Sequence, residues 1–329
     1  LGATLPMLVA QILNLLYNIV DRVYIARIPK VGTTALGAVG LCFPIIVIIT
    51  AFSNLFGSGG APLFSIYRGK KQENTAVQIM DTSFSMLCIC GVFLMLIGFL
   101  FARPLLTLFG ASADAMVYAY PYMMLYLIGT LPSMIATGMN PFINAQGYST
   151  VGMFSVTIGA VANLLLDPLF IFVFGFGVQG AAIATVISQL ISCILVLWCL
   201  YKTEGSYQLR FSKLKMKKEY LKQIFQVGIP AGVQSTVINF SNALLQSSVN
   251  SFGSTAMAGY TAANNILGFL YASINAVTQA CMSFTSQNFG VGKYKRMDRV
   301  LIDCMILSVG AALVLGCGAY FFGAEILQI

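Results

Sequence analysis

Two aspartates lie inside apolar runs of this sequence, each with amide neighbours at helical spacing. Asn163 precedes Asp167 by four residues, on the same face of a helix, and Pro168 follows directly. A proline in a helix cannot donate to the carbonyl four residues earlier, here Leu164, and so frees an acceptor within the membrane. An amide oxygen, a carboxylate and a freed carbonyl together suit a hard cation such as Na⁺ or H₃O⁺, or an acid that takes up a proton. Withdrawn from water, a carboxyl favours its neutral form. An acid at Asp167 that gains and loses a proton near ambient pH could therefore couple proton flow to a change of shape. The bland alternative is an acid that merely caps a helix break.

Asp21 ends a second polar stripe. Gln11, Asn14, Asn18 and Asp21 are spaced three, four and three apart and share one helical face. That face must meet another helix or water, because a charge facing hydrocarbon costs several kcal/mol and an intramembrane acid marks function by default. A third stripe, Ser235, Asn239, Asn242, Gln246 and Asn250, has the same periodicity without an acid. It suits hydrogen bonds to a substrate and helix packing about equally.

The elements that carry these stripes follow from composition. The chain has 329 residues, 58% hydrophobic and 9% charged, whereas soluble domains carry about 25% charged residues. Such a chain is an all-α polytopic membrane protein. Nine spans are expected: Leu5–Ala26, Leu36–Tyr67, Met80–Phe101, two between Asp114 and Asp167 divided by the polar stretch Asn140–Thr150, then Gly180–Tyr201, two within Gln223–Gly292 divided at Asn250–Thr255, and Leu301–Phe322. Fourteen of the eighteen basic residues fall in the gaps after spans two, six and eight. By the positive-inside rule those gaps and the N-terminus are cytoplasmic, and the net charge of +8 is no nucleic-acid signal.

Eight cysteines form neither a disulfide framework nor a zinc pattern, and histidine is absent. That argues against a membrane-embedded enzyme. GSGGAP at Gly57–Pro62 lies in a helix rather than after a strand, so it is no nucleotide loop. No GxxxxGK[ST] run is present to power an ATP-driven pump.

The sequence also repeats. LGATLPMLVAQ resembles FQVGIPAGVQS, which sets Pro6 on Pro230, and KVGTTALGAVGL resembles SFGSTAMAGYTA. Two parallel bundles are expected: residues 1–201 as a six-helix bundle, 202–222 as a basic cytoplasmic linker, and 223–329 as the first half of a second bundle. YNIVDRVYIAR (Tyr17–Arg27), NLLLDP (Asn163–Pro168) and FGFGVQGAAIATVISQ (Phe174–Gln189) resemble the multidrug and toxic compound extrusion family. The resemblance implies twelve helices in two bundles, of which this chain is the first three quarters. It implies a cation site at Asp21, Asn163, Asp167 and Thr185, with H⁺ or Na⁺ entering as an amphipathic, often cationic, drug leaves. No cofactor is expected beyond that ion, and no obligatory protein partner. Tyr17, Asn18, Tyr126, Asn239, Asn242 and Gln246 are candidates for the substrate cavity. A flippase for a lipid-linked oligosaccharide or another amphipathic lipid is the alternative. It would need basic residues in its cavity, which these spans lack. A channel would need a continuous pore rather than one acid cluster.

Overall fold

A computed structural model of the chain describes residues 2–29, 31–203, 207–210, 214, 216–250, 252 and 254–326. Ten α-helices make up the described chain: α1 (Thr4–Ala26), α2 (Gly32–Gly69), α3 (Glu73–Leu108), α4 (Ala113–Ile128), α5 (Thr130–Ala145), α6 (Ser149–Pro168), α7 (Val178–Lys202), α8 (Lys218–Asn250), α9 (Ser254–Val291) and α10 (Tyr294–Ile326). Among the described residues, seven stretches could cross a membrane by length and composition. The pair α4 and α5 adds an eighth, bent by 55° at Gly129. The ninth expected span is α8, which falls outside that set and carries the neutral polar stripe. Helices are the form this composition must take, because each backbone N–H and C=O is then satisfied within its own segment.

Two expected boundaries shift. Asn140–Ala145, assigned to a polar break, stays helical as the end of α5, and the turn occupies only Gln146–Tyr148. Gly147 makes that turn at φ +92°, in the left-handed region. Helix α8 starts at Lys218, so the last residues assigned to the linker are helical.

Pro168 is the last residue of α6, but the chain stays wound beyond it. The chain continues through a π-turn at Leu169–Val173, and Phe174 N–H closes on Leu169 C=O at 2.9 Å. A wider turn tolerates the missing proline donor, and such turns gather at functional sites. The turn sits directly after Asp167. The chain then reverses through Gly175 and Gly177, both at positive φ, into α7.

Helix α2 is the hub. Its 38 residues extend about 57 Å, and it packs against α3, α4, α5, α8 and α9. At three places the backbones come so near that no side chain fits between them. A Cβ on Gly57 would stand 2.8 Å from the carbonyl oxygen of Gly138 on α5. One on Gly59 would stand 2.6 Å from that of Ile224 and 3.1 Å from Gly228, both on α8. One on Gly69 would collide with Gln287 C=O and lie 3.1 Å from Gly290 on α9. The second and third join the two bundles, and both lie near the loops that hold most of the basic residues. GSGGAP is therefore a packing surface, where small residues let membrane helices touch backbone to backbone.

The same end of the molecule is tied by polar contacts. Arg68 on α2 donates to Ala145 C=O at 2.7 Å, and Gln287 on α9 donates to the same oxygen at 3.0 Å. The Arg68 guanidinium lies 5.5 Å from the ring centre of Tyr207, in the connector between α7 and α8. The ends of spans two, four and eight and the connector after span six thus meet at one face. That is the arrangement the even-numbered gaps require. The connector is anchored rather than loose: Leu209 is fully buried, and Gln146 donates to Tyr207 C=O at 3.4 Å. Burial of the Tyr207 hydroxyl and the nearby Glu73 carboxylate push its pKa above the usual phenol value.

Forcing a side chain into the α2–α8 contact should open it. Gly59→Leu is expected to cost about 1–3 kcal/mol, the usual range for overpacking, seen as a lower melting temperature of the purified protein. Gly37→Leu, at an α2 site with nothing within 4 Å, should leave the melt unchanged. Equal melts for the two variants would rule out the close contact.

Candidate functional site

The acid cluster is built by three helices of the first bundle. Helix α1 carries Asp21 near its C-terminal end, α6 carries Asn163 and Asp167 in its last two turns, and α7 carries Thr185 in its second turn. Helix α1 packs along α6, and α6 along α7. All four positions lie toward the ends remote from the basic face. Asp167 is completely buried, Asn163 is 1% exposed and Thr185 9%; Asp21 is half-buried.

Their side chains engage one another. Asn163 Nδ2 donates to Asp167 Oδ1 at 3.3 Å and to Thr185 Oγ1 at 3.5 Å. Thr185 Oγ1 donates in turn to Ala181 C=O at 2.9 Å. The carboxyl of Asp21 is an electrostatic neighbour of that of Asp167. Three buried oxygens of this cluster accept no hydrogen bond: Asp21 Oδ1, Asn163 Oδ1 and Asp167 Oδ2. Buried acceptors are normally satisfied, so these three oxygens mark the cluster as a candidate cation site. Oxygen donors from carboxyl and amide groups suit a hard cation.

Beside the cluster lies a cavity of about 290 Å³. It starts one turn away along α6 and α7, at Ala160 and Ser188, and runs toward the basic face. Helix α1 lines it with Gln11, Asn14 and Tyr17, α5 with Ser133, Thr137, Asn140 and Asn144, and α9 with Thr278, Gln279 and Ser283. No described lining residue is charged. Asn140 Nδ2 donates to Gly152 C=O at 3.0 Å and to Ser155 Oγ at 3.2 Å, while Asn144 Oδ1 and Gln189 Oε1 are buried without a donor. The walls present amides and hydroxyls among methyl and methionine groups.

The other cavity candidates are placed differently. Tyr17 lines the wall. Asn18 is exposed and bonds back to Asn14, at 2.7 Å to its carbonyl and 3.1 Å to its side-chain oxygen. Tyr126 lies behind the wall: Gln189 donates to its hydroxyl at 3.5 Å, and its ring stacks on Tyr122 at 6.2 Å. Asn242 is exposed on α8, away from the cavity; the side chains of Asn239 and Gln246 lie outside the described residues. Among those described, α9 rather than α8 supplies the second bundle's share of the wall.

Sequence reasoning missed the polar face of α5, although Ser133, Thr137, Asn140 and Asn144 follow four, three and four. The Asn-Pro pair at Asn140–Pro141 reads as a break and hides that periodicity. It also missed Asp81, a further acid only 4% exposed, on α3.

Comparison with known proteins agrees with this architecture. The MatE family model matches residues 6–169 and 230–329, two stretches that begin 224 residues apart, the spacing that sets Pro6 on Pro230. A probable multidrug resistance protein, YoeA of Bacillus subtilis (strain 168), is 27% identical over 343 residues, covering 98% of this chain and 71% of its own. The multidrug export protein MepA of Staphylococcus aureus (strain NCTC 8325 / PS 47) is 24% identical over 318 residues, with 97% and 70% covered. In fold, the chain superposes on an outward-facing multidrug resistance MATE family transporter of the MOP superfamily with a TM-score of 0.92 at 22% identity, covering 98% of this chain and 71% of that one. A crystal structure of MATE in the straight conformation gives 0.92 at 23% identity, with 99% and 72% covered. With the fold and most of its length matched, this chain belongs to the MatE family of multidrug and toxic compound extrusion transporters and is a multi-pass α-helical membrane protein.

Proposed function

We propose that this protein is a cation-coupled antiporter that exports amphipathic, often cationic, organic compounds while H⁺ or Na⁺ enters. The three unpartnered oxygens of Asp21, Asn163 and Asp167 carry this reading. Two neighbouring carboxyls, that of Asp167 fully buried, call for a positive charge, from a proton or from Na⁺. Asn163 and Thr185 orient Asp167, and the amide oxygen of Asn163 completes a donor set for a metal ion. In this reading Asp21, Asn163, Asp167 and Thr185 are the coupling residues, and the neutral polar cavity beside them holds the compound to be exported.

Coupling then needs no direct contact between ion and drug. A ligand shifts a conformational equilibrium only by its difference in affinity for the two states. The ion grips α1, α6 and α7, and a guest in the cavity touches the same helices plus α2, α5 and α9. The close contacts of α2 with α8 and α9 lie toward the basic face, which fits a carrier closed on that side. By the positive-inside rule that side is the cytoplasm, with the N-terminus there. An uncharged cavity wall also favours an exporter of organic cations over a flippase for a pyrophosphate-linked lipid, whose head group calls for basic side chains.

The test is ethidium efflux from proteoliposomes driven by an imposed pH or Na⁺ gradient. Asp167→Asn is expected to lower gradient-driven efflux at least ~10-fold, inside the roughly 5–150-fold range of ordinary coupling free energies, with an unchanged melting temperature. Whichever gradient drives the wild type names the ion. Efflux indifferent to Asp167→Asn would move the coupling site elsewhere, and no efflux under either gradient would turn the reading toward the flippase.

The cavity has a separate signature. Gln189→Leu removes a polar group from its wall and is expected to raise the KM for ethidium about 2- to 10-fold, the worth of one hydrogen bond, without altering dependence on the driving gradient. An unchanged KM would place the drug outside this cavity.

A further inference from the structure

The outer face of α8 carries a shallow, open groove, lined wholly by its own residues, that the transport reading does not use. Lys218 and Lys222 stand at its mouth, next to the basic face, and Leu221, Phe225, Ile229 and Pro230 form its floor. Its volume is about 490 Å³. Lys218, Lys222, Phe225 and Ile229 follow four, three and four, so charge and apolar surface share one helical face. From Lys218 to Ile229 the helix rises about 16 Å, roughly the depth from a phospholipid phosphate well into its acyl region.

Three observations make this more than two snorkelling lysines. Both ammonium groups are exposed, and the one acid of this turn, Glu219, is not among the groove's lining residues. The floor is braced: Phe225 packs on Phe56 of α2 with ring centres 5.9 Å apart, so its outer side is a preformed surface. Ile229 remains 48% exposed on a membrane helix, which leaves the trough open to a lipid chain.

We propose that this groove binds an anionic glycerophospholipid, its phosphate held between Lys218 and Lys222 and one acyl chain laid along Leu221, Phe225 and Ile229. Positive charge at the mouth complements the headgroup, and the apolar floor recognises what a free anion lacks. The site is one turn from Ile224 and Gly228, where α8 closes on Gly59 of α2. A lipid seated there braces the helix that joins the two bundles at the basic face.

Native mass spectrometry of the intact, detergent-purified transporter tests this, with phosphatidylglycerol and phosphatidylcholine titrated in parallel. The wild type is expected to retain phosphatidylglycerol preferentially. The double variant Lys218→Gln/Lys222→Gln should lose roughly 25-fold of that preference, from about fivefold per lysine near a membrane surface. Phe225→Ser should weaken retention of both lipids with the charge intact; Ile229→Ser serves the same purpose if Phe225→Ser does not fold, judged by its melt in zwitterionic micelles. Equal phosphatidylglycerol retention by the wild type and the double lysine variant overturns the proposal. So does full retention in both floor variants together with displacement by millimolar inorganic phosphate, which would mark a plain anion site.

Discussion

The distance between α2 and its neighbours governs the molecule. Where Gly57 meets Gly138, Gly59 meets Gly228 and Gly69 meets Gly290, the backbones are separated by little more than van der Waals contact. In a bilayer, apolar side chains gain little by leaving lipid for protein, and close packing carries more of the association. Glycine permits the nearest approach and therefore the densest dispersion contact. The first of these contacts holds the first bundle together, and the other two hold the bundles to each other. Because they have no side chains to interdigitate, they can form and part without rotamer rearrangement.

Within the first bundle, the polar chemistry is sorted by depth. Asp21 and Asp167 lie in the half remote from the basic face, and the neutral amides and hydroxyls of the cavity lie in the half nearer to it. Tyr17 and Gln189 stand between the two zones. Both zones share α1, α6 and α7, so an event in one is felt as packing in the other without a wire of specific contacts. The π-turn after Asp167 adds to this: its backbone lies outside the regular helical ladder, next to the residue whose charge state is proposed to change.

Much of this was legible from residue order. Long apolar runs locate helices because lipid accepts nothing else, and an Asn and an Asp four apart in such a run must share a face. Proximity of Asp21 and Thr185 to that pair was not legible from spacing, since they come from other helices; it rested on the family resemblance. The bend at Gly129 left no sequence sign, because α4 and α5 are both uncharged around it and the direction change is set by what they pack against. The Asn140–Ala145 turn of α5 misled for the opposite reason: asparagine, proline and glycine signal a loop locally, but the surrounding helices supply partners for the amides and keep the segment wound. Gly57–Gly60 could be read as unusual, though not as a contact, because a close approach depends on partners on other helices, Gly138 for Gly57 and Gly228 for Gly59.

One oxygen at the basic face has a particular geometry. Ala145 C=O accepts from Arg68 of its own bundle and from Gln287 of the other, filling both lone pairs of a carbonyl left over at the end of α5. The two bonds differ in what they survive. If the second bundle swings away, Gln287 leaves with it, while Arg68 stays with α2 and still covers the oxygen. Parting the bundles at this point therefore never strands a bare acceptor in a drying interface. It exchanges one amide for a water and leaves the charged bond in place, so the joint behaves as a pin with one end fixed and one end free to lift.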